Sequence, residues 1–279
     1  MSDLEAEFRR LHLSQLQTLD KVLIDSMPSR TRVSFCSFNC QSLRAYFLDM
    51  GNAVMKRSNF LLLTETWLHN DEGLDIPNFN FVVQFECPNV RAGVGAIYRN
   101  ANDRANIVTP NMDINVHQAN ELGLLNTGVG DICTATCQLE NGQMLVMVVI
   151  YKSNNAKIKD IIDLIHKFLL AYDIQGAALL ENDLDKMPMI MSGDFNNNFN
   201  TDEAQTLLKF LDEKFKLKLN NDKGQSATRP GTTIDVVFSR YLENLQYKLC
   251  ASYFSYYRHI IPFLEYELME INKRKKHFI

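Results

Sequence analysis

Several polar residues in this sequence stand where apolar runs end. Asn39 follows V-S-F-C-S-F, Glu65 follows F-L-L-L-T, and Tyr151 follows L-V-M-V-V-I. Asp194 and Asn196 follow M-I-M-S-G, and Asp235 lies within T-T-I-D-V-V-F. A buried strand that ends in a carboxylate or an amide places that group at a sheet rim, where a hard divalent cation can be held by oxygen. Each residue also has an ordinary reading. An Asn after a strand is commonly a turn residue, Glu65 alone could be a surface acid, and Tyr151 alone a rim aromatic. The G-D-F-N at 193–196 is sharper, because Gly193 permits a tight turn and Asp194 and Asn196 project beyond the strand.

The elements that must position these residues are mostly strands. Alternating or continuous apolar runs predict strands at 33–39, 60–65, 79–87, 93–98, 132–139, 144–150, 189–192, 234–239 and 247–254. Helical spacing predicts helices at 43–57, 157–181 and 201–215, the last with Thr201 as N-cap and acids in its first turn. Residues 4–26 carry apolar positions at helical spacing and end before Pro28. Strands dominate and helices intervene irregularly, which fits two stacked sheets flanked by helices better than a strict βαβ repeat. The expected organisation is a helical extension and linker over 1–32, then one domain over 33–279.

Composition narrows the classes. The chain has 279 residues, 46% hydrophobic and 22% charged, enough for one large core. Its apolar runs are strand-length, short of the ~20 residues of a membrane span, and its charged N-terminus lacks the apolar stretch of a signal peptide. A soluble intracellular protein with no membrane partner is expected. A net charge of −4 argues against binding nucleic acid through electrostatics alone. The basic run Lys273-Arg274-Lys275-Lys276 reads as a solvated tail end, with a nuclear address or a phosphate contact as alternatives. Cys36 and Cys40, like Cys133 and Cys137, have C-x3-C spacing without a nearby His, so they read as apolar fillers rather than zinc knuckles.

The order of the short motifs carries a resemblance. The chain reads F-N-C-Q-S at 38–42, T-E-T-W at 64–67, R-A-G-V-G-A-I-Y at 91–98, V-I-Y at 149–151, S-G-D-F-N at 192–196 and T-R-P-G-T-T-I-D at 228–235. From residue 33 to about 264 it resembles the endonuclease/exonuclease/phosphatase superfamily of deoxyribonuclease I-like enzymes, and is most similar to endonuclease domains of insect mobile elements. The resemblance implies an α+β fold, a four-layered αββα sandwich of two mixed β-sheets flanked by helices. It implies Mg²⁺ (or Mn²⁺) bound by Glu65, with Asn39 in its outer shell or on the phosphate. Asp194 would orient or deprotonate the attacking water. Asn196 and Tyr151 would hold the phosphate, with Thr228 as a further substrate contact. Asp235 would orient a histidine that stabilises the transition state. DNA is the implied partner, with a helicase or reverse transcriptase as a further one outside this chain.

The last motif departs from the pattern. Superfamily members end on a Ser-Asp-His strand, whereas this chain reads Ser255-Tyr256-Tyr257-Arg258-His259. Setting Ser255 on the family serine puts Tyr256 at the acid and Tyr257 at the histidine. Setting His259 on the family histidine puts Arg258 at the acid. The first alignment is preferred, because S-Y-F-S-Y at 252–256 resembles mobile-element endonucleases; His259 is then either a displaced catalytic histidine or a bystander. Three functions follow as expectations: a metal-dependent DNA endonuclease, a catalytically impaired nuclease-fold domain that binds nucleic acid or protein without cleaving, and a phosphoesterase on lipids or nucleotides.

Overall fold

Alternation along the strands sorts side chains onto two faces, and the fold follows from where those faces meet. The structure, a computed structural model, describes residues 32–46, 58–68, 74–85, 95–101, 113–118, 128–138, 143–220, 235–242, 246–251 and 260–267. Twelve strands are described: β1 (Arg32–Asn39), β2 (Phe60–Thr64), β3 (Phe79–Gln84), β4 (Ala96–Asn100), β5 (Asp113–Gln118), β6 (Gly130–Gln138), β7 (Met144–Lys152), β8 (Met189–Asp194), β9 (Lys218–Leu219), β10 (Asp235–Arg240), β11 (Gln246–Ala251) and β12 (Ile260–Glu267). They form two six-stranded sheets, ordered β11-β12-β1-β2-β4-β3 and β5-β6-β7-β8-β10-β9. Each is mixed through a single parallel pair, β1–β2 in one and β7–β8 in the other.

Three apolar clusters bind the layers. Val33, Phe35, Phe60 and Leu62 of the first sheet face Cys133, Ala135, Met147, Val149, Ile190 and Val237 of the second, forming the core between the sheets. Cys133 and Cys137 are free, buried thiols in that core, as their alternation requires. The other face of the second sheet is covered by α2 (Ile158–Phe168) and α4 (Asp202–Phe215), with the short α3 (Ile174–Leu179) packed beside α4. Helix α2 presents Ile158, Ile161, Leu164, Ile165 and Phe168 to the sheet, the i, i+3, i+4 stripe of an amphipathic helix. The outer face of the first sheet packs Cys36, Phe38, Leu61 and Leu63 against Leu43 of α1 (Leu43–Tyr46). The result is two stacked sheets flanked by helices, as the sequence pattern predicts, in the four-layered αββα arrangement that the resemblance implies.

Differences from the predicted elements have physical causes. The helix expected over 157–181 is broken. It ends at Phe168, a 3-10 turn runs over Leu170–Tyr172, and Asp173 adopts an extended conformation before α3 starts. Gly176 then packs so tightly that a Cβ there would lie 1.9 Å from the Leu170 carbonyl oxygen, which a straight helix could not arrange. Thr201 occupies the N-cap position of α4, but its hydroxyl donates to the Asn198 carbonyl at 2.7 Å instead of capping the helix. Strands β5, β9 and β12 were not expected. β12 contains Pro262, which argues against an interior strand; its ladder with β1 ends at Phe263, so the proline sits where only β11 pairs with the strand. Residues 4–26, the strand end 252–254 and the basic run 273–276 lie outside the described residues. Among the described residues no helix is long and apolar enough to cross a membrane.

Candidate active site at the sheet rim

A strand pair that runs parallel brings two C-terminal ends to the same rim. In the first sheet Asn39, the last residue of β1, is paired with Thr64, the last of β2. In the second sheet Tyr151 on β7 is paired with Asp194, the last residue of β8. Strand β10 runs antiparallel to β8 and so delivers its first residue, Asp235, opposite Asp194. Topology alone therefore collects the residues from five strands at one edge of the sandwich.

Along β1 and β8 the inner face changes character toward that edge. Phe35 and Ile190 belong to the apolar inter-sheet core. Two residues on, the buried Ser37 and Ser192 hydroxyls hydrogen-bond across the sheets. Two further on, Asn39 Nδ2 donates to Asp194 Oδ2 at 2.9 Å. The other Asp194 oxygen accepts the Asn196 backbone N–H at 2.8 Å. Asp194 is 1% exposed and both its oxygens are held, so its carboxylate has a fixed orientation. Asn39 is itself fixed, because its Oδ1 accepts the Gln41 N–H at 3.1 Å, and Asn196 Nδ2 donates to the Lys152 carbonyl at 2.7 Å.

Glu65 reaches the cleft by a different route. Leu61 and Leu63 point to the outer face, so strict alternation would send Glu65 outward too. The backbone at Glu65 is left-handed, with φ 50°, and turns the carboxylate toward Asn39 and Asp194. Gln41 (φ 43°), Ser42 (φ 90°) and Trp67 (φ 55°) are also left-handed. The two loops brace each other through Ser42 N–H to Glu65 O and Leu43 N–H to Thr66 O, both 2.9 Å. Left-handed conformations at non-glycine residues cost roughly 1–3 kcal/mol each and gather where function over-determines the backbone.

The electrostatics follow from three carboxylates sharing a low-dielectric cleft. Burial raises Asp194 well above the usual carboxylate range, and the charges of Asp235 and Glu65 raise it further. Asp235 is pushed up to about 7, by burial first and then by Glu65. Glu65 is raised by burial, with hydrogen bonds from Asn39 and Asp194 acting against the rise. Burial and the neighbouring acids push the Tyr151 phenol up to about 12, so it stays a donor at neutral pH.

The structure thus brings together Asn39, Glu65, Tyr151, Asp194, Asn196 and Asp235, while Thr228, Tyr256, Tyr257 and His259 lie outside the described residues. Two further participants escaped the sequence reading. One is the Ser37–Ser192 pair, whose signal was their i−2 spacing from Asn39 and Asp194. The other is Asp131, buried, paired with Tyr151 across the β6–β7 ladder and acting on its phenol.

This architecture matches known structures. No protein-family model matches the sequence, and no curated protein matches it. Among solved structures, the AP endonuclease LMAP from Leishmania major superposes with a TM-score of 0.56 at 15% identity, covering 88% of this chain and 90% of that one. An endonuclease/exonuclease/phosphatase from Bacteroides vulgatus gives 0.55 at 13% identity, with 85% and 99% covered. The 3′ phosphatase NExo from Neisseria, bound to product DNA hairpin, gives 0.53 at 12% identity, with 85% and 100% covered. These likenesses establish the fold: the chain has that of the endonuclease/exonuclease/phosphatase proteins.

Proposed function

We propose that this protein hydrolyses phosphodiester bonds with the help of a divalent cation, and that its substrate is DNA. The observation that carries the reading is the single rim where the buried Asp194 is raised by burial and by the charges of Asp235 and Glu65, while Asn39 and the Asn196 backbone N–H hold its carboxylate in a fixed orientation. Among the described residues no group of three or more His, Cys, Asp or Glu side chains forms a ready-made metal cage. The donors at the rim are carboxylate and amide oxygens, which suit Mg²⁺ or Mn²⁺, and Mg²⁺ binds through one or two carboxylates and keeps its waters. Glu65 would hold it, with the Asn39 amide beside it. The cation would supply positive charge against the phosphoryl oxygens.

The chain's own residues account for the rest. A base for water needs a fixed lone pair and a basicity above that of an ordinary carboxylate, and the buried, doubly hydrogen-bonded Asp194, raised by burial and by Asp235, would serve as that base. Tyr151, protonated at neutral pH, would donate to a non-bridging phosphate oxygen, with the Asn196 amide near it. Asp235 would orient a charge-stabilising group brought by the last motif. The resemblance of the motifs to mobile-element endonucleases would imply an origin in such an element, with a helicase or reverse transcriptase as partner, and the basic run at 273–276 would serve as a nuclear address.

A second reading, a nuclease-fold domain that binds without cleaving, draws on Tyr256-Tyr257 standing where the family carries acid and histidine. Nicking of supercoiled plasmid, with and without Mg²⁺, separates the two. Mg²⁺-dependent nicking abolished by Glu65→Gln is the expected result. No nicking by the native protein, nor by the double variant Tyr256→Asp with Tyr257→His, would leave the binding role.

A further inference from the structure

The chain has one tryptophan, on the loop that carries Glu65. Trp67 follows Glu65 by two residues and is 40% exposed, although its neighbours Thr66 and Leu68 are fully or nearly fully buried. Leu68 joins the apolar cluster on the outer face of the first sheet, together with Leu43 and Leu74, so a hydrophobic site was within reach of the same loop. The left-handed backbone at Trp67 holds the indole out of that cluster. The hydrogen bond from Leu43 N–H to Thr66 O anchors the segment from the side of the neighbouring loop. Among the described residues the Trp67 ring has no aromatic partner and its N–H no acceptor. A large apolar side chain that stands toward solvent between two buried neighbours, at a left-handed backbone position, is pre-organised to receive something flat.

Charge says what kind of contact this site needs. With Glu65, Asp194 and Asp235 in the cleft and a net charge of −4, the protein gains little from the phosphate backbone. Stacking on an aromatic ring is uncharged and accepts any base, because every base has a π-face. We propose that Trp67 is a stacking platform for an unpaired nucleobase next to the scissile phosphate, so that the substrate is nucleic acid that is single-stranded or locally opened at the point of cleavage. This rests on the phosphodiesterase reading and adds the substrate class to it. An intact duplex offers no free base face except at its ends.

Because Trp67 is the sole tryptophan, its fluorescence reports on this site alone. The experiment titrates the full-length protein, with EDTA present to prevent turnover, with a short fluorescein-labelled single-stranded DNA oligonucleotide and with its blunt duplex. Binding is followed by anisotropy, and Trp67 emission by titration with the unlabelled strand. The single strand should quench Trp67 emission saturably and bind more tightly than the duplex. Trp67→Ala should weaken single-strand binding roughly 5- to 150-fold, the range for loss of one stacked base. Trp67→Phe, which keeps a ring and the fold, should retain most of the affinity. Strand binding that leaves Trp67 emission unchanged, or equal affinity in the native protein and Trp67→Ala, overturns the platform. Neither result touches the nuclease reading, which Mg²⁺-dependent nicking decides separately. Nicking by a protein that binds no single strand also overturns the platform and leaves the nuclease standing.

Discussion

The hydrogen bond between Asn39 and Asp194 joins the two sheets at the point where chemistry is expected, and Asn39→Ala tests what it does. The donor lies 2.9 Å from Asp194 Oδ2, and both residues are buried. A hydrogen bond to a charged group contributes about 1.5–3 kcal/mol, and removing one partner leaves the other desolvated without compensation. The cost falls on the ionised carboxylate. Asp194 already has a folded-state pKa raised by burial and by Asp235, and losing Asn39 raises it further. An acid whose folded pKa is raised lowers stability as pH climbs from the ordinary carboxylate range through that folded pKa, and costs nothing below the range. Where Asp194 is ionised, toward alkaline pH, the variant should therefore be about 2 kcal/mol less stable than the native protein, and at pH 5 closer to it. With a urea slope of about 2 kcal/mol/M, the midpoint at pH 8 should fall by about 1 M. Urea unfolding of both proteins in EDTA, at pH 5 and pH 8, measures this without relying on activity. A difference in stability that is the same at both pH values would refute the claim that Asn39 acts by solvating the Asp194 charge.

Three further outcomes follow from the same geometry. In Gly193→Ala the new Cβ would lie 1.7 Å from the Ile150 carbonyl oxygen and 2.7 Å from its carbon, forcing β7 and β8 apart beside Tyr151 and Asp194. It should cost about 3 kcal/mol, the upper end of overpacking, as read by chemical denaturation. Arg240 is buried and donates to the carbonyls of Met187, Tyr172, Phe215 and Leu184 at 2.8–3.0 Å, tying the turns between α2 and β8 to the end of α4. Arg240→Met should lose at least ~3 kcal/mol in urea unfolding through those stranded acceptors, and Arg240→Lys should not restore it, because an ammonium cannot span a planar fork. Asp235, raised to about 7, should make the metal-free protein lose stability as pH rises from about 4 toward 7. Asp235→Asn should flatten that part of the melting-temperature profile, and an unchanged slope would argue against the shift.

How much of this protein was written locally can be judged residue by residue. The apolar runs before Asn39, Tyr151 and Asp194 marked strands, because β alternation and burial need only neighbours in sequence. Strand-dominated patterning pointed to two stacked sheets flanked by helices, the resemblance of the ordered motifs implied the αββα class, and the i, i+3, i+4 stripe of α2 marked which helical face would be buried. The sequence also contained the i−2 serines behind Asn39 and Asp194, though their meaning required knowing that β1 and β8 face each other. Tertiary structure alone decided the rest. Glu65 has the parity of an outward-facing residue, and only a left-handed turn, braced by the loop after β1, aims it inward. Asp173 and Gly176 broke a continuous helical pattern because the extended Asp173 turns the chain and Gly176 packs directly onto the Leu170 carbonyl. Pro262 was compatible with a strand because the β1 ladder stops one residue short of it. In each case the local preference was real, and a contact between residues distant in sequence outweighed it. The raised pKa values of Asp194 and Asp235 belong to the same category, since they arise from carboxylates that meet only when two sheets close on one another.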